Sequence, residues 1–257
     1  MLTPVISGDA LLATLLVWVR VAATLVASPI FGSVPAPASF KVLLSLFLSV
    51  AIAMGVAANP AVLRDVADGN LAAAVLCEAF IGMTLGFGLH ATFGALSIAG
   101  KVLDIQLGFG LGATYDPVLR TQAPVLSAAL TLYGVVIFFL VGAHHGLVRG
   151  LAFSFERMPA GAAGLGPAAL PAVVAQFGAM FTLAVVIVAP VIFGLLLVEA
   201  GLSVLSRVMP QMNIMFVGVP VKIFAGLSLL ALLAPHLRAP LAGAMRGVFV
   251  YFERVLA

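Results

Sequence analysis

Long apolar stretches separated by short polar ones make up most of this 257-residue chain. The apolar stretches are 11–31, 42–58, 71–100, 123–143, 172–205, 223–234 and 241–252. A membrane-crossing helix needs about 20 residues, so the third and fifth stretches are too long for one simple crossing, and the last two have the length of half-spans or surface-lying helices. The intervening loops are 32–40, 59–70, 101–122 and 144–171. The pattern predicts an all-α membrane protein with five to seven helices, organised as a single domain over residues 1–257.

The amino-acid composition also indicates a membrane location. Of all residues, 63% are hydrophobic and 8% are charged, whereas ordinary soluble domains carry about 25% charged residues. Such a chain needs a lipid bilayer or a large protein partner to cover its apolar surface. The net charge of +3 comes without a clustered basic face, so we do not expect nucleic-acid binding.

Lysine and arginine residues do not separate between the two sides of a membrane. In multi-span proteins they concentrate in cytoplasmic loops. With six alternating segments, one side holds Arg64, Arg149, Arg157, Arg238, Arg246 and Arg254, and the other holds Lys41, Lys101, Arg120, Arg207 and Lys222. This near-equal division predicts either a different number of spans or helices that other proteins partly enclose.

Four ionisable residues, Arg20, Glu78, His90 and Glu199, lie within apolar stretches. A charge at the centre of a bilayer costs about 2.5–3.5 kcal/mol, so each needs a partner or water. A proton or ion pathway and a buried pairing between helices or subunits both account for them. The carboxylates and histidines lack the three- or four-residue spacing of neighbours on one helix face. The sequence therefore favours buried pairing for Arg20, Glu78 and Glu199.

The sequence contains none of the motifs that usually indicate an enzyme or a cofactor site. GxSxG, P-loop, GxGxxG and HExxH patterns are absent. Adjacent His144 and His145 would point about 100° apart on a helix and could not easily share a metal. The single cysteine, Cys77, excludes an intrachain disulfide. We therefore expect no catalysis, cofactor or metal.

Two alternatives of other classes stay open. A secondary transporter would place its site at broken helices, such as those near Pro190 and Glu199. An intramembrane hydrolase would need a nucleophile and a base, for which Asp116 with His90 or His144 is the best available combination.

Glycine spacing predicts one close helix contact and one loop. Gly82 and Gly86 form a pair of small residues four apart, which lets helix backbones approach closely. In IQLGFGLGATYDP, residues 105–117, glycines occupy positions 108, 110 and 112. Three glycines disfavour a helix by about 1 kcal/mol each relative to alanine. We predict a pliable apolar loop, of the kind that can build a hydrophobic constriction.

The segment PQMNIMFVGVPVKI, residues 210–223, is polar between two apolar stretches. Pro210 and Pro220 interrupt helical hydrogen bonding at its two ends. Gln211 and Asn213 carry donors and acceptors that need partners in an apolar environment. The segment is predicted to be a polar re-entrant turn, and an exposed loop is the alternative.

Several segments together resemble the FliR/SctT family of type III secretion export-gate proteins. They are RVAATLVASPIFGSVPAPASFK (20–41), QLGFGLGATYDP (106–117), Gln122 and Pro124, GLVRGLAFSFERMP (146–159) and MPQMNIMFVGVPVKI (209–223). The resemblance runs in order along nearly the whole chain. VGVP (217–220) and GAHHGLVRGLAFSFE (142–156) are closer to the flagellar branch than to the injectisome branch.

The resemblance implies a structural subunit of a protein-conducting gate in the bacterial inner membrane, within the flagellar basal body. FliP-like and FliQ-like subunits, other export-apparatus proteins and membrane lipid would surround its kinked and broken helical hairpins, and unfolded proteins would pass through the gate. By position, residues 108–116 match the plug region of the family. The candidate plug residues are Gly108, Phe109, Gly110, Leu111, Gly112 and Tyr115. The injectisome subunit is the alternative.

Overall fold

Helices dominate the part of the chain that the computed structural model describes, which is residues 8–29, 37–55, 71–109, 124–161, 164–211 and 214–257. These residues form seven α-helices and no strand. The helices are α1 (Gly8–Ala27), α2 (Ala38–Gly55), α3 (Leu71–Leu107), α4 (Val125–Leu140), α5 (Ala143–Arg157), α6 (Ala169–Val208) and α7 (Ile214–Val255). The predicted all-α fold class is confirmed.

Four of these helices are long and apolar enough to cross a membrane, namely α2, α3, α6 and the part of α7 that spans Phe216–Val255. The pair α4 and α5 would count as a fifth, broken span. Gly142 precedes α5 with a φ of 69°, a left-handed conformation that glycine adopts without a steric penalty. The protein is therefore an all-α membrane protein, as its composition predicts.

The two short apolar stretches at the end of the chain were wrongly predicted as separate elements, because both lie within the 42-residue helix α7. His236 and Arg238 interrupt the apolar run, and Pro235 and Pro240 lie in the same interval. Membrane helices tolerate proline where other groups satisfy the backbone atoms that it leaves unpaired. Hydropathy therefore underestimated the length of this helix.

The predicted loop over residues 144–171 was also wrong in its first half, where α5 runs from Ala143 to Arg157. Its buried residues recur at helical spacing, and they are Ala143, Leu147, Leu151, Ser154 and Phe155. Polar residues on the other face kept this stretch from counting as apolar. In the same way, α3 continues beyond the predicted limit at Gly100 to Leu107.

The chain divides into two compact units. Unit 1 contains residues 1–91, 142–177 and 245–257, and unit 2 contains residues 92–141 and 178–244. Neither unit is one continuous segment, because α3, α6 and α7 each contribute residues to both. The organisation as a single domain over residues 1–257 stays a prediction.

In unit 1, α1 packs against the first half of α3 through glycines. A Cβ atom added at Gly82 would collide with the Arg20 carbonyl oxygen, and one at Gly86 would lie 2.7 Å from the Thr24 carbonyl oxygen. The close helix approach predicted from these glycines is therefore confirmed. Gly146 and Gly150 of α5 similarly leave room for phenylalanine rings near the end of α7.

In unit 2, the second half of α3 packs against α4. Phe93 and Phe138 lie with ring centroids 6.3 Å apart. Gly134 makes room for the Leu96 side chain, and Gly100 lies directly against the backbone of Ser127. Small residues thus set the helix spacing in this unit too.

Candidate functional site

Arg20 of α1 and Glu78 of α3 form a buried ion pair in unit 1. The Arg20 Nε atom lies 2.6 Å from Glu78 Oε2, and Nη2 lies 3.0 Å from Oε1. Both side chains are 0% exposed. Two parallel bonds from a guanidinium to a carboxylate form the strongest geometry that such a pair can take.

Further groups contact this ion pair. Arg20 Nη1 donates to the carbonyl oxygen and the hydroxyl of Ser154, at 3.0 and 3.2 Å. The Phe155 ring lies below the guanidinium, 4.1 Å from its Cζ atom. Glu78 Oε1 also accepts the backbone N–H of Gly161 at 2.9 Å. We call Arg20, Glu78, Ser154 and Gly161 the polar core. It joins α1, α3, α5 and the residues after α5.

The spacing of residues in α3 explains why Glu78 faces α1. Glu78, Gly82 and Gly86 follow one another at four-residue intervals, so they share one face of α3. The two glycines bring α1 close, and Glu78 meets Arg20 on the same face. This spacing was the signal that could have identified Glu78 as the partner of Arg20.

Glu199 of α6 has a different partner. In unit 2 its carboxylate contacts the Lys222 ammonium group of α7, and the Lys222 and Glu199 side chains are 27% and 37% exposed. A groove of about 310 Å³ lies beside the pair, with Ser203 and Ser206 among its lining residues. Lys222 was not predicted as the partner of Glu199, because it lies in the segment 210–223 that was predicted to be a turn.

The predicted polar turn lies between α6 and α7. Helix α6 ends at Val208, and Pro210 and Gln211 follow in an exposed turn. Asn213 lies outside the described residues. Pro220 does not end the turn as predicted, because α7 begins at Ile214 and continues through this proline. The re-entrant character of the segment stays a prediction.

The described part of the glycine-rich segment is its start. Gly108 adopts a φ of 80° directly after the last residue of α3, and such left-handed glycines commonly end helices. Phe109 follows and is exposed. The remaining predicted plug residues, Gly110, Leu111, Gly112 and Tyr115, lie outside the described residues.

Asp104, which was not among the predicted site residues, accepts two backbone hydrogen bonds. Its Oδ1 atom accepts the N–H of Leu126 at 3.0 Å, and Oδ2 accepts that of Ser127 at 3.2 Å. Pro124 occupies the N-cap position of α4 and provides no side-chain hydrogen bond. The sequence alone does not pair Asp104 with these N–H groups, because the contact depends on how α4 packs beside α3.

Within the described ranges, no three His, Cys, Asp or Glu side chains stand close enough to hold a metal ion. The clustered polar groups join helices to one another, through ion pairs and hydrogen bonds to backbone atoms. They define a helical membrane protein in which polar side chains organise the packing of apolar helices.

Comparison with known proteins narrows this class to one family. The sequence model for bacterial export proteins, family 1, matches residues 11–248, and the chain belongs to this family. It is 31% identical over 214 residues to the flagellar biosynthetic protein FliR of Bacillus subtilis, covering 82% of each chain. It is 30% identical over 249 residues to FliR of Aquifex aeolicus, covering 97% of this chain and 95% of the relative.

A relative with a different name matches over a shorter range. The chain is 31% identical over 149 residues to the Yop proteins translocation protein T of Yersinia pestis, covering 56% of each chain. The resemblance to the FliR/SctT family is confirmed.

Proposed function

We propose that this protein is a structural subunit of the type III protein export gate in the bacterial inner membrane, in the flagellar export apparatus. The observation that carries this proposal is the family match, which extends over residues 11–248. Relatives named flagellar biosynthetic protein FliR align with most or nearly all of the chain. The subunit would act without enzymatic activity or a cofactor.

The exposed apolar surface supports membership in a larger membrane assembly. Large hydrophobic side chains are exposed along α6 and α7, including Phe177, Phe181, Phe193, Leu197, Phe216, Phe224 and Leu232. A monomer in water does not expose such a surface. We propose that FliP-like and FliQ-like subunits cover much of it, and that lipid covers the rest.

The glycine-rich segment over residues 108–116 is proposed to close the channel at rest. Its first glycine ends α3 in a left-handed conformation, and the exposed Phe109 follows. Phe109, Leu111 and Tyr115 would supply the sealing side chains. The glycines between them would let a passing unfolded chain displace the segment.

The proposal is tested by purifying the tagged protein from its native membrane in mild detergent and identifying the copurified proteins by mass spectrometry. We expect a stable complex with FliP-like and FliQ-like proteins. A tagged membrane protein of similar size from the same cells serves as the control for nonspecific recovery. A monomer or homodimer without these partners would contradict the proposal.

An injectisome gate is the second candidate, because the chain also matches the Yop translocation protein over 149 residues. The same purification separates the two. Recovery of flagellar partners supports the first candidate, and recovery of injectisome partners supports the second.

A further inference from the structure

We propose that an apolar groove in unit 2 binds an acyl chain of a phospholipid whose anionic headgroup contacts Lys101. This assigns a defined part of the exposed apolar surface to lipid. The proposal goes beyond export, because it concerns a ligand of this chain and not the passage of proteins. All residues that carry it are described residues of unit 2.

The groove lies between the second half of α3 and the middle of α6, and its volume is about 450 Å³. Helix α3 contributes Ile98, Ala99 and Val102, and α6 contributes eight residues from Phe181 to Leu196, all of them apolar. At 1.5 Å per residue the α6 side is about 22 Å long. One leaflet of a bilayer accounts for about half of its 30 Å hydrocarbon core. The groove is therefore long enough for an acyl chain from one leaflet.

Helix α6 is suited to hold this groove within the hydrocarbon core. Its mean hydropathy of 2.9 is the highest among the four helices that could cross a membrane. The sequence has no Lys, Arg, Asp or Glu over residues 169–198. The side chains that line the groove cannot form hydrogen bonds, and an acyl chain needs none, because dispersion contacts alone hold it.

The lining of the groove differs from the helix contacts within this chain. Membrane helices meet at small residues that let their backbones approach, and Gly100 and Gly134 have this role in unit 2. Among the described residues that line the groove there is no glycine, and Phe181 and Phe193 are exposed at its rim. These rings would hold a neighbouring helix backbone away, whereas a flexible acyl chain can lie between them.

Lys101 provides a positive charge beside the groove. It precedes Val102 and follows Ile98 by three residues, a spacing that brings Cβ atoms within about 5–6 Å on a helix. Its side chain is exposed, and no carboxylate of the described residues forms an ion pair with it. The nearest acid along α3, Asp104, instead accepts two backbone N–H groups of α4. The Lys101 charge is therefore available to a ligand.

The charge of Lys101 predicts which lipid the groove prefers. A lysine stem can lie along apolar surface while its ammonium group reaches the polar headgroup region. Anionic lipids attract such cations, whereas a zwitterionic headgroup already carries a cation of its own. We therefore expect anionic phospholipid to be favoured over zwitterionic phospholipid at this groove.

The test uses the full-length protein, together with the subunits that copurify with it, in vesicles of defined composition. The vesicles contain equal amounts of phosphatidylglycerol and phosphatidylethanolamine with identical acyl chains. Phe193 is replaced by a photoreactive phenylalanine derivative, and adducts of this chain are identified by mass spectrometry after illumination. Val186 is the matched control position, because it is exposed on the same helix and does not line the groove.

At position 193 we expect several-fold more adducts with phosphatidylglycerol than with phosphatidylethanolamine. At position 186 the two lipids should be recovered about equally. Lys101→Ala should lower the ratio at position 193 to that at position 186, and Lys101→Arg should keep it, because the positive charge is retained.

Adducts with a protein subunit in place of lipid at position 193 would overturn the proposal, because a protein would then occupy the groove. Equal recovery of the two lipids at position 193 would also overturn it, since the groove would then bind lipid without selection. A preference that persists in Lys101→Ala would overturn the role of Lys101. The copurification experiment tests the proposed function separately, so its failure is distinguishable from a failure of this lipid site.

Discussion

Two carboxylates on long apolar helices have different surroundings in the two units. In unit 1, Glu78 is fully buried and contacts both Arg20 and the Gly161 backbone. In unit 2, the Glu199 side chain is 37% exposed and contacts Lys222. Residues of this chain supply all the contacts described for Glu78. The second site retains an open side beside a groove that Ser203 and Ser206 line in part.

The difference separates two uses of charge in a membrane protein. A fully buried pair stabilises the fold when every polar atom has a partner, and removal of one partner leaves an uncompensated charge. A partly exposed pair contributes little by itself where water reaches it and competes for its charges. Its carboxylate and ammonium groups stay partly accessible beside the groove.

The largest expected effect comes from breaking the polar core. Glu78→Ala leaves the buried Arg20 guanidinium without its carboxylate, so we expect a loss of about 3–5 kcal/mol in the free energy of unfolding. Denaturation of the purified protein in detergent, followed by circular dichroism, measures this loss.

The double variant Arg20→Met with Glu78→Leu is the matched control. It removes both charges and leaves neither unpaired, so it should be less destabilising than Glu78→Ala. A double variant that loses more than the single one would contradict the account of the polar core as a charge pair.

A smaller effect is expected where the backbones of α1 and α3 meet. The added methyl group of Gly82→Ala would collide with the Arg20 carbonyl oxygen. Overpacking of this kind costs about 1–3 kcal/mol. Thermal unfolding in detergent should therefore show a lower melting temperature, together with a weakened polar core.

Gly201→Ala provides the control, because a Cβ at Gly201 of α6 meets no atom within 4 Å in this chain. Alanine is favoured over glycine in a helix by up to about 1 kcal/mol, so this variant should be unchanged or slightly more stable. Equal losses of stability in Gly82→Ala and Gly201→Ala would contradict this account, because contact with the α1 backbone would then not explain the need for glycine at position 82.

The smallest effect is expected for Glu199→Ala. An exposed ion pair contributes about 0.2–1 kcal/mol, so the isolated protein should lose no more than this. A contact between this pair and a neighbouring subunit predicts that Glu199→Ala lowers the recovery of partner subunits even though the free energy of unfolding hardly changes. If Glu199→Ala destabilised the protein as much as Glu78→Ala, the two ion pairs would not differ in their contribution to stability, and the comparison would be wrong.

Local patterns predicted most of the fold. The composition indicated the membrane class, and the Gly82–Gly86 spacing indicated a close helix contact. Hydropathy failed where polar residues occur within a helix, as in α5 and around His236 in α7. An apolar run shows which part of a helix can face lipid. The helix itself can begin before this run and end after it, because its backbone hydrogen bonds do not depend on apolar side chains.

The candidate site was less predictable because its partners are distant in sequence. Arg20 and Glu78 are separated by 58 positions, and Arg20 and Ser154 by 134. The ionisable residues within apolar stretches could be found from the sequence, but their partners depend on tertiary packing. Asp104 was missed because it lies at a predicted loop boundary, and its role becomes visible only when α4 is placed beside α3.

Other gate subunits are proposed to cover much of the exposed apolar surface of this protein. Photo-crosslinking from Phe216, Phe224 and Leu232 of α7 in native membranes tests this proposal most directly, because all three side chains are exposed in the isolated chain. We predict that at least one position forms adducts with FliP-like or FliQ-like subunits. Adducts with lipid alone at all three positions would contradict the claim.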